Sequence, residues 1–354
     1  MPEARIPVPR PSASLPAENS WSYSKFRGEE GLPTVMGHHV GDVAELALAP
    51  WARMGGRGTF INLGEQEFTD AYVVEIAAGA SLAPQRHLFE EIIYVIDGHG
   101  TTTVTHGGMQ PVSIEWRAGS LFAIPLNARY QHHNLDQAPA RLFAATDAPL
   151  MVNIFRSRAF TFGCPYEFTD RFRGDAQEFE SEPELIGGVP GSLYELNFVA
   201  DIRSLQLSEW SLLGYGVRHA YLAVTGSVMK VHLAEFAVGT YGKAQVHGPG
   251  TYILILEGTG YSLLWPPGAQ PERHEWRPGS LISPPAGWYR QHFNTGTRPA
   301  LHLAFHRPAP IFNKSDRGEA AYEDEDLAIW EEFARALRKN GVANAMPRLS
   351  RTQA

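Results

Sequence analysis

The chain contains one cysteine, Cys164, in 354 residues. A single thiol excludes an intrachain disulfide and any cluster of thiolate ligands, and it fits a reducing compartment. Long apolar runs are also missing: none approaches the about 18 residues needed to span a bilayer, and no charged segment followed by an apolar one opens the chain. The expectation is a soluble, cytoplasmic protein. Positive charge is scarce, with 30 Lys and Arg against 38 Asp and Glu, a net charge of -8 and no basic cluster. Neither nucleic acid nor an acidic membrane surface is therefore expected as a partner.

What the chain does have is an internal repeat. "EWRAGSL" from Glu115 to Leu121 returns as "EWRPGSL" from Glu275 to Leu281, "QRHLFEEIIYVIDGHG" from Gln85 aligns with "QVHGPGTYILILEGTG" from Gln245, and "YQHHN" from Tyr130 aligns with "RQHFN" from Arg290. Each pair is 160 positions apart. A constant offset over several landmarks marks a duplicated module without net insertion in its core. Within both copies, short β-rich runs such as "AYVVEI", "IIYVI", "TYILILEG" and "YSLLW" alternate with Gly, Pro and Asn breaks, an all-β pattern. A helix is expected only near the end, where Trp330, Phe333, Ala334 and Leu337 share one helical stripe. Acidic residues fill its first turn, Arg338 and Lys339 its last, and Gly341 ends it.

The first copy reads Gly79, Gln85, His87, Glu91, Gly98 and then Gly119, Pro125, Asn134; the second reads Gly239, His247, Gly258 and then Gly279, Pro285, Gly287, Asn294. In spacing this resembles the paired signature of the cupin superfamily, over roughly residues 45–310. The resemblance implies two tandem jelly-roll β-barrels. The chain then divides into an N-terminal arm (1–40), barrel 1 (41–160), a surface linker (161–200), barrel 2 (201–310) and a C-terminal helix with its tail (311–354). Trp116 and Trp276 of the repeated phrase are expected to pack on the barrel walls without a catalytic role. His38 and His39, in a polar segment, are expected at the solvated surface, and "HGPG" at 247–250 reads as a turn.

Alternation along a strand turns Gln85, His87 and Glu91 to one face and Glu90 to the other. In metal-binding cupins two His and a Glu of the first motif and a His of the second hold a divalent ion. Here Gln85 and Tyr130 occupy two of those positions, leaving His87 and Glu91. His132 has the strand parity of Tyr130, so His87, Glu91 and His132 are the candidate metal triad, with iron(II) the expected divalent ion and manganese or another as the alternative, although two residues of strand set His132 about 6.6 Å deeper. Tyr130 and Gln85 are candidates for orienting substrate. His87 and Glu91 equally suit a buried pair in a purely structural barrel.

Barrel 2 carries Gln245, His247, Thr251, Arg290 and His292 at the corresponding positions. Without a carboxylate and with a permanent guanidinium, these disfavour a cation and suit an anion. Arg290, His247, Gln245, His292 and Lys243 are its candidate ligand-binding residues, against a polar core in a retired barrel. The leading functional expectation is a metal-dependent, oxygenase-like bicupin acting on a small organic acid. The alternatives are a metal-free isomerase or lyase using His87 and Glu91, or a non-catalytic anion binder. A homodimer is expected, its arm covering a neighbour's edge strand.

Overall fold

The computed structural model describes residues 21–64, 67–107, 110–172, 174–180, 182–187, 191–224, 226–246, 250–306 and 318–347. Two barrels follow one another, each built from a large sheet and a small one. In barrel 1 the large sheet includes Gly56–Leu63, Asp70–Ile76, Ala140–Thr146, Glu91–Asp97 and Leu121–Ile124, and the small one holds Arg129–Asn134, His99–Thr105 and Val112–Arg117. Barrel 2 repeats the plan with Val217–Val224, Lys230–Phe236, Ala300–His306, Thr251–Glu257 and Leu281–Ile282 opposite Glu272–Trp276, Gly260–Trp265 and Tyr289–Asn294. Continuous apolar runs such as "EIIYVID" and "TYILILE" are each buried or half-buried on six of seven residues because both faces of the large sheets are covered. One face lines its own barrel. The other meets its counterpart from the second barrel, where Phe143 and Phe305 approach to 5.4 Å between ring centroids and a single apolar core joins both halves.

The barrels also exchange edge strands. His39–Val40 pairs with Leu281–Ile282 of barrel 2, and Phe198–Val199 pairs with Leu121 and Phe122 of barrel 1. Each exchanged segment enters a 3-10 turn capped by an aspartate, Asp42 or Asp201. The first 40 residues are thus not all an arm. Helix Tyr23–Glu30 packs Tyr23 and Phe26 onto barrel 1, and the edge strand expected on a neighbouring subunit closes the other barrel of the same chain. His38 and His39 are half-buried there, because strand pairing carries the polar segment onto barrel 2. The end of the expected barrel 1 segment is helical instead of extended: helices Ala148–Phe155 and Arg158–Gly163 lie over barrel 1. The expected linker also folds in part, with Ser192–Leu196 joining the barrel 2 sheet in parallel with Val217–Val224.

The C-terminal helix spans Leu327–Asn340 and buries Phe333 and Leu337 against Tyr241 and Phe293 of barrel 2, with Trp330 and Ala334 half-buried beside them. Its acidic run precedes the first turn: Asp326 caps the helix and Glu323 and Asp324 lie in the 3-10 turn before it. No helix among the described residues is long and apolar enough to cross a membrane.

Candidate functional site in the first barrel

Gln85 faces Tyr130 across an antiparallel bridge, its N–H donating to the Tyr130 carbonyl at 2.8 Å and its carbonyl accepting from the Tyr130 N–H at 3.0 Å. From this register the inward residues follow. Glu91 begins its strand, Tyr72 lies on the adjoining Asp70–Ile76 strand, and His87, Glu91 and Tyr130 meet with only about 3% of each exposed. His87 Nδ1 donates to the Phe89 carbonyl at 2.8 Å, which directs Nε2 toward the Tyr130 hydroxyl at 2.9 Å. The phenol donates to Glu91 Oε2 at 2.7 Å, and Tyr72 donates to Glu91 Oε1 at 2.8 Å. His87 Nε2 lies 3.4 Å from Glu91 Oε2.

The electrostatics follow from that geometry. Burial alone raises the Glu91 carboxyl, but the charge on His87 and the hydrogen bonds from His87, Tyr130 and Tyr72 outweigh it and hold the group at about 2. Burial and the Glu91 charge push both phenols well above their ordinary value. His87, Tyr130, Glu91 and Tyr72 form one buried hydrogen-bonded chain at the barrel centre.

Two supports were not foreseen. Tyr72 could have been found from the alternation of "AYVVEI", which points it inward with Val74 and Ile76. Arg53 had no signal, lying in an irregular loop. It donates Nη1 to Gln85 Oε1 at 2.5 Å and Nε to the buried Glu30 of the N-terminal helix at 2.7 Å. Its guanidinium lies 5.2–5.6 Å from the rings of Trp51, Phe162 and Phe26. Phe162, from helix Arg158–Gly163, packs edge-on to Phe89, so the segment read as linker covers the barrel mouth with aromatic side chains.

His132 does not join His87 and Glu91. Among the described residues these three form no group with all ligand atoms within 4.8 Å of one another. His132 Nδ1 instead lies 2.6 Å from the Thr102 hydroxyl, which also accepts from Trp116 Nε1 at 2.9 Å. Burial lowers this imidazole to about 4. The strand parity was right and the depth was decisive. Barrel 2 repeats the unit: His292 Nδ1 lies 2.7 Å from the Ser262 hydroxyl, which accepts from Trp276 Nε1 at 3.1 Å. The duplicated phrase therefore keeps a tryptophan whose N–H, through a hydroxyl, sets the ring of a deeper histidine.

The donors that do converge are His87 Nε2, Glu91 Oε2 and the Tyr130 oxygen, at 2.7, 2.9 and 3.4 Å from one another. Ligand atoms about 2.1 Å from one ion stand roughly 3 Å apart, so this set fits a divalent transition ion once the phenol gives up its proton. Tyr130 occupies the sequence position at which the second motif's histidine was expected.

Barrel 2 has a different interior. Arg290, Gln245, Lys243, His292 and His302 line a cavity of about 40 Å³. His302, missed in the sequence although its strand alternation turns it inward, is buried, and its ring nitrogens have no hydrogen-bond partner among the described residues. Burial and the Arg290 charge hold it at about 3. Desolvation, His302 and Arg290 push His292 well below its ordinary value. A cation does not fit this site. His247 lies outside the described residues.

A family model described as "Cupin domain" matches residues 72–146. No curated protein matches the chain in sequence. Among solved structures, Lactobacillus farciminis oxalate decarboxylase in complex with formate is similar at 13% identity, covering 83% of this chain and 92% of that one with a TM-score of 0.52. Bacillus subtilis oxalate decarboxylase, in a study of its Mn(II) centres, is similar at 12% identity over 90% of both chains with a TM-score of 0.51. At these identities the likeness is one of fold.

Proposed function

We propose, from a two-barrel fold similar to that of bicupin structures and a cupin domain matched over residues 72–146, that barrel 1 is the catalytic barrel of a metal-dependent enzyme acting on a small organic acid, with His87, Glu91 and Tyr130 as the ion's donors. The observation that carries the proposal is the close approach of those three donor atoms. A divalent ion there supplies Lewis acidity toward a substrate carboxylate. The chain's own residues do the rest. Tyr72 fixes the second oxygen of Glu91, and the Phe89 carbonyl fixes His87. Arg53, held by Glu30, sets the amide of Gln85 and brings a cation to the site for an acidic substrate. Phe162 and Phe89 exclude water. Three protein donors leave positions open, the feature non-haem iron oxygenases use, and oxygenase-like chemistry with iron(II) is the finer form of the proposal.

A second reading is supported by the hydrogen bonds themselves. His87, Tyr130 and Glu91 satisfy one another as a metal-free acid/base relay for an isomerase or lyase. Metal analysis of protein purified without chelator separates the two. The metal-dependent reading expects a stoichiometric divalent ion that falls sharply in Glu91→Gln and in Tyr130→Phe; metal-free wild type and unaltered binding of added Fe(II) or Mn(II) in those variants overturn it. For barrel 2 we propose a small anion held by Arg290, Lys243, Gln245, His292 and His302; the cavity has room for a few waters or one such ion. The homodimer and the cytoplasmic location are part of the same proposal, and a monomer in sedimentation equilibrium removes the former.

A further inference from the structure

The exchanged N-terminal strand brings a second set of metal-type donors together on barrel 2. His38 Nδ1 lies 3.2 Å from Glu272 Oε2, and His274 Nε2 lies 3.5 Å from the same oxygen. Among the described residues this is the one group of three His, Cys, Asp or Glu whose ligand atoms all lie within 4.8 Å of one another. Two further observations set it apart from a surface ion pair. The Nε2 atoms of His274 and of neighbouring His39 are both shut off from solvent, that of His274 facing Glu272 and that of His39 without a hydrogen-bond partner among the described residues. His39 also makes a hydrogen bond to the backbone of Glu275, and its ring centroid is 5.5 Å from that of His274. A backbone bond at one ring nitrogen, with the other left open, is how metal-binding imidazoles are commonly oriented.

The duplication supplies an internal comparison. Strand exchange pairs His39 with Ile282 and Phe198 with Phe122, so Phe198 is the counterpart of His39. At the 160-residue offset, Glu272 and His274 correspond to Val112 and Ile114, which are buried in the barrel 1 core that Phe198 packs against. Where one barrel secures its exchanged segment with apolar contacts, the other presents imidazoles and a carboxylate at the same place.

We propose that His38, Glu272 and His274 form a transition-metal site, with zinc the ion their donor set suits and His39 within the same cluster, clasping the N-terminal segment to barrel 2. Two imidazoles and a carboxylate at these separations match the donor types and spacing of a tetrahedral zinc site. The ion would crosslink residues more than two hundred positions apart, so its binding energy would add to the stability of the exchanged strand.

The test uses the full chain with Glu91→Gln as background, so that an ion in barrel 1 does not contribute, and wild type in parallel. Protein stripped with chelator is titrated with zinc by equilibrium dialysis and with cobalt(II) by absorption. One equivalent should bind in the Glu91→Gln protein, with the intense visible bands of tetrahedral cobalt, and zinc should raise its unfolding temperature. Adding His274→Gln or Glu272→Gln should weaken that binding by at least about 10-fold, the loss usual even for an outer-sphere partner. His99→Gln, at an exposed His99–Glu115 pair 2.9 Å apart, should leave it unchanged. No binding in the Glu91→Gln background or in wild type, or equal affinity with and without His274→Gln, overturns the proposal. Loss of the barrel 1 ion alone does not touch it.

Discussion

Replacing Thr102 by valine keeps the shape of the side chain and removes one oxygen. In barrel 1 that oxygen serves two fully buried groups, Trp116 Nε1 at 2.9 Å and His132 Nδ1 at 2.6 Å. Neither can turn to solvent, since Thr102, Trp116 and His132 are each exposed by 1% or less. A buried donor or acceptor left without a partner costs about 1–3 kcal/mol, so Thr102→Val, which strands two, should lose about 2–6 kcal/mol. Thr102→Ser, which restores the residue type used at Ser262 in barrel 2, removes only a methyl and should cost about 1 kcal/mol. The same operation in barrel 2, Ser262→Ala, should cost less than Thr102→Val, because His292 lines a cavity that water can enter. Urea denaturation with matched slopes gives the three values. If Thr102→Val and Thr102→Ser agree within about 0.5 kcal/mol, the hydroxyl is not the link between tryptophan and histidine, and the account of the repeated phrase fails.

Glu90, turned out of barrel 1, accepts from Arg171, Ser227 Oγ and the amides of Val228 and Met229; Glu90→Ala leaves these without their anion and should cost about 3–5 kcal/mol in equilibrium unfolding, with Glu90→Gln intermediate. Asp70, buried and accepting from Tyr23 and Tyr252, is raised by burial from 3.8 to about 6 despite those bonds. A carboxyl with a raised folded-state value is stabilising while protonated, so its contribution is full below about pH 4 and is lost as pH rises through about 6, a change of about 3 kcal/mol; Asp70→Asn should flatten stability over that window, and an unchanged profile would remove the assignment. Glu91, held at about 2, acts in the opposite sense: its contribution is present above about pH 4.5 and is lost as pH falls toward 2, a limb that Glu91→Gln should abolish. Gly100→Ala and Gly260→Ala should each destabilise by at least about 1–3 kcal/mol in thermal unfolding, because a Cβ would strike the carbonyl of His133 or Phe293 and the indole of Trp116 or Trp276.

The duplication, the all-β class and the stripe of Phe333 and Leu337 were legible because each rests on spacing along the chain. Interior direction was legible for the same reason: parity turned Glu90 away from His87 and Glu91 and set Arg290 inside barrel 2. Depth was not. A strand parity cannot distinguish Tyr130 from His132, yet about 6.6 Å separates a residue at the relay from one bonded to Thr102. Contacts made by strand exchange were also hidden. His38 and His39 sit in a polar stretch beside glycines, and only pairing with Leu281 and Ile282 shows that they meet Glu272 and His274. Residues 148–160 read as the end of barrel 1 because "MVNIF" is β-rich, yet they form helices Ala148–Phe155 and Arg158–Gly163, held by the apolar and aromatic side chains they place over barrel 1.

The two barrels differ where a side chain faces the interior and agree where it completes a buried hydrogen bond. Asn134 and Asn294 each tie three carbonyls, at Ile76, Ala77 and Ala138 and at Phe236, Ala237 and Arg298. Ser120 and Ser280 each cap the turn of the repeated phrase and donate to the exchanged segment, at the carbonyls of Ala200 and Gly41. Removing Asn134 or Asn294 takes away the buried bonds to the Ile76 and Phe236 carbonyls, a penalty independent of what the barrel binds. Glu91 and Thr251, Tyr130 and Arg290, Leu142 and His302 face interiors instead, where a substitution is tolerable if its own partner changes with it. The same scaffold can therefore hold an acid against an imidazole in one barrel and a guanidinium beside neutral imidazoles in the other, and the sign of the charge each interior can accept follows from those three exchanges.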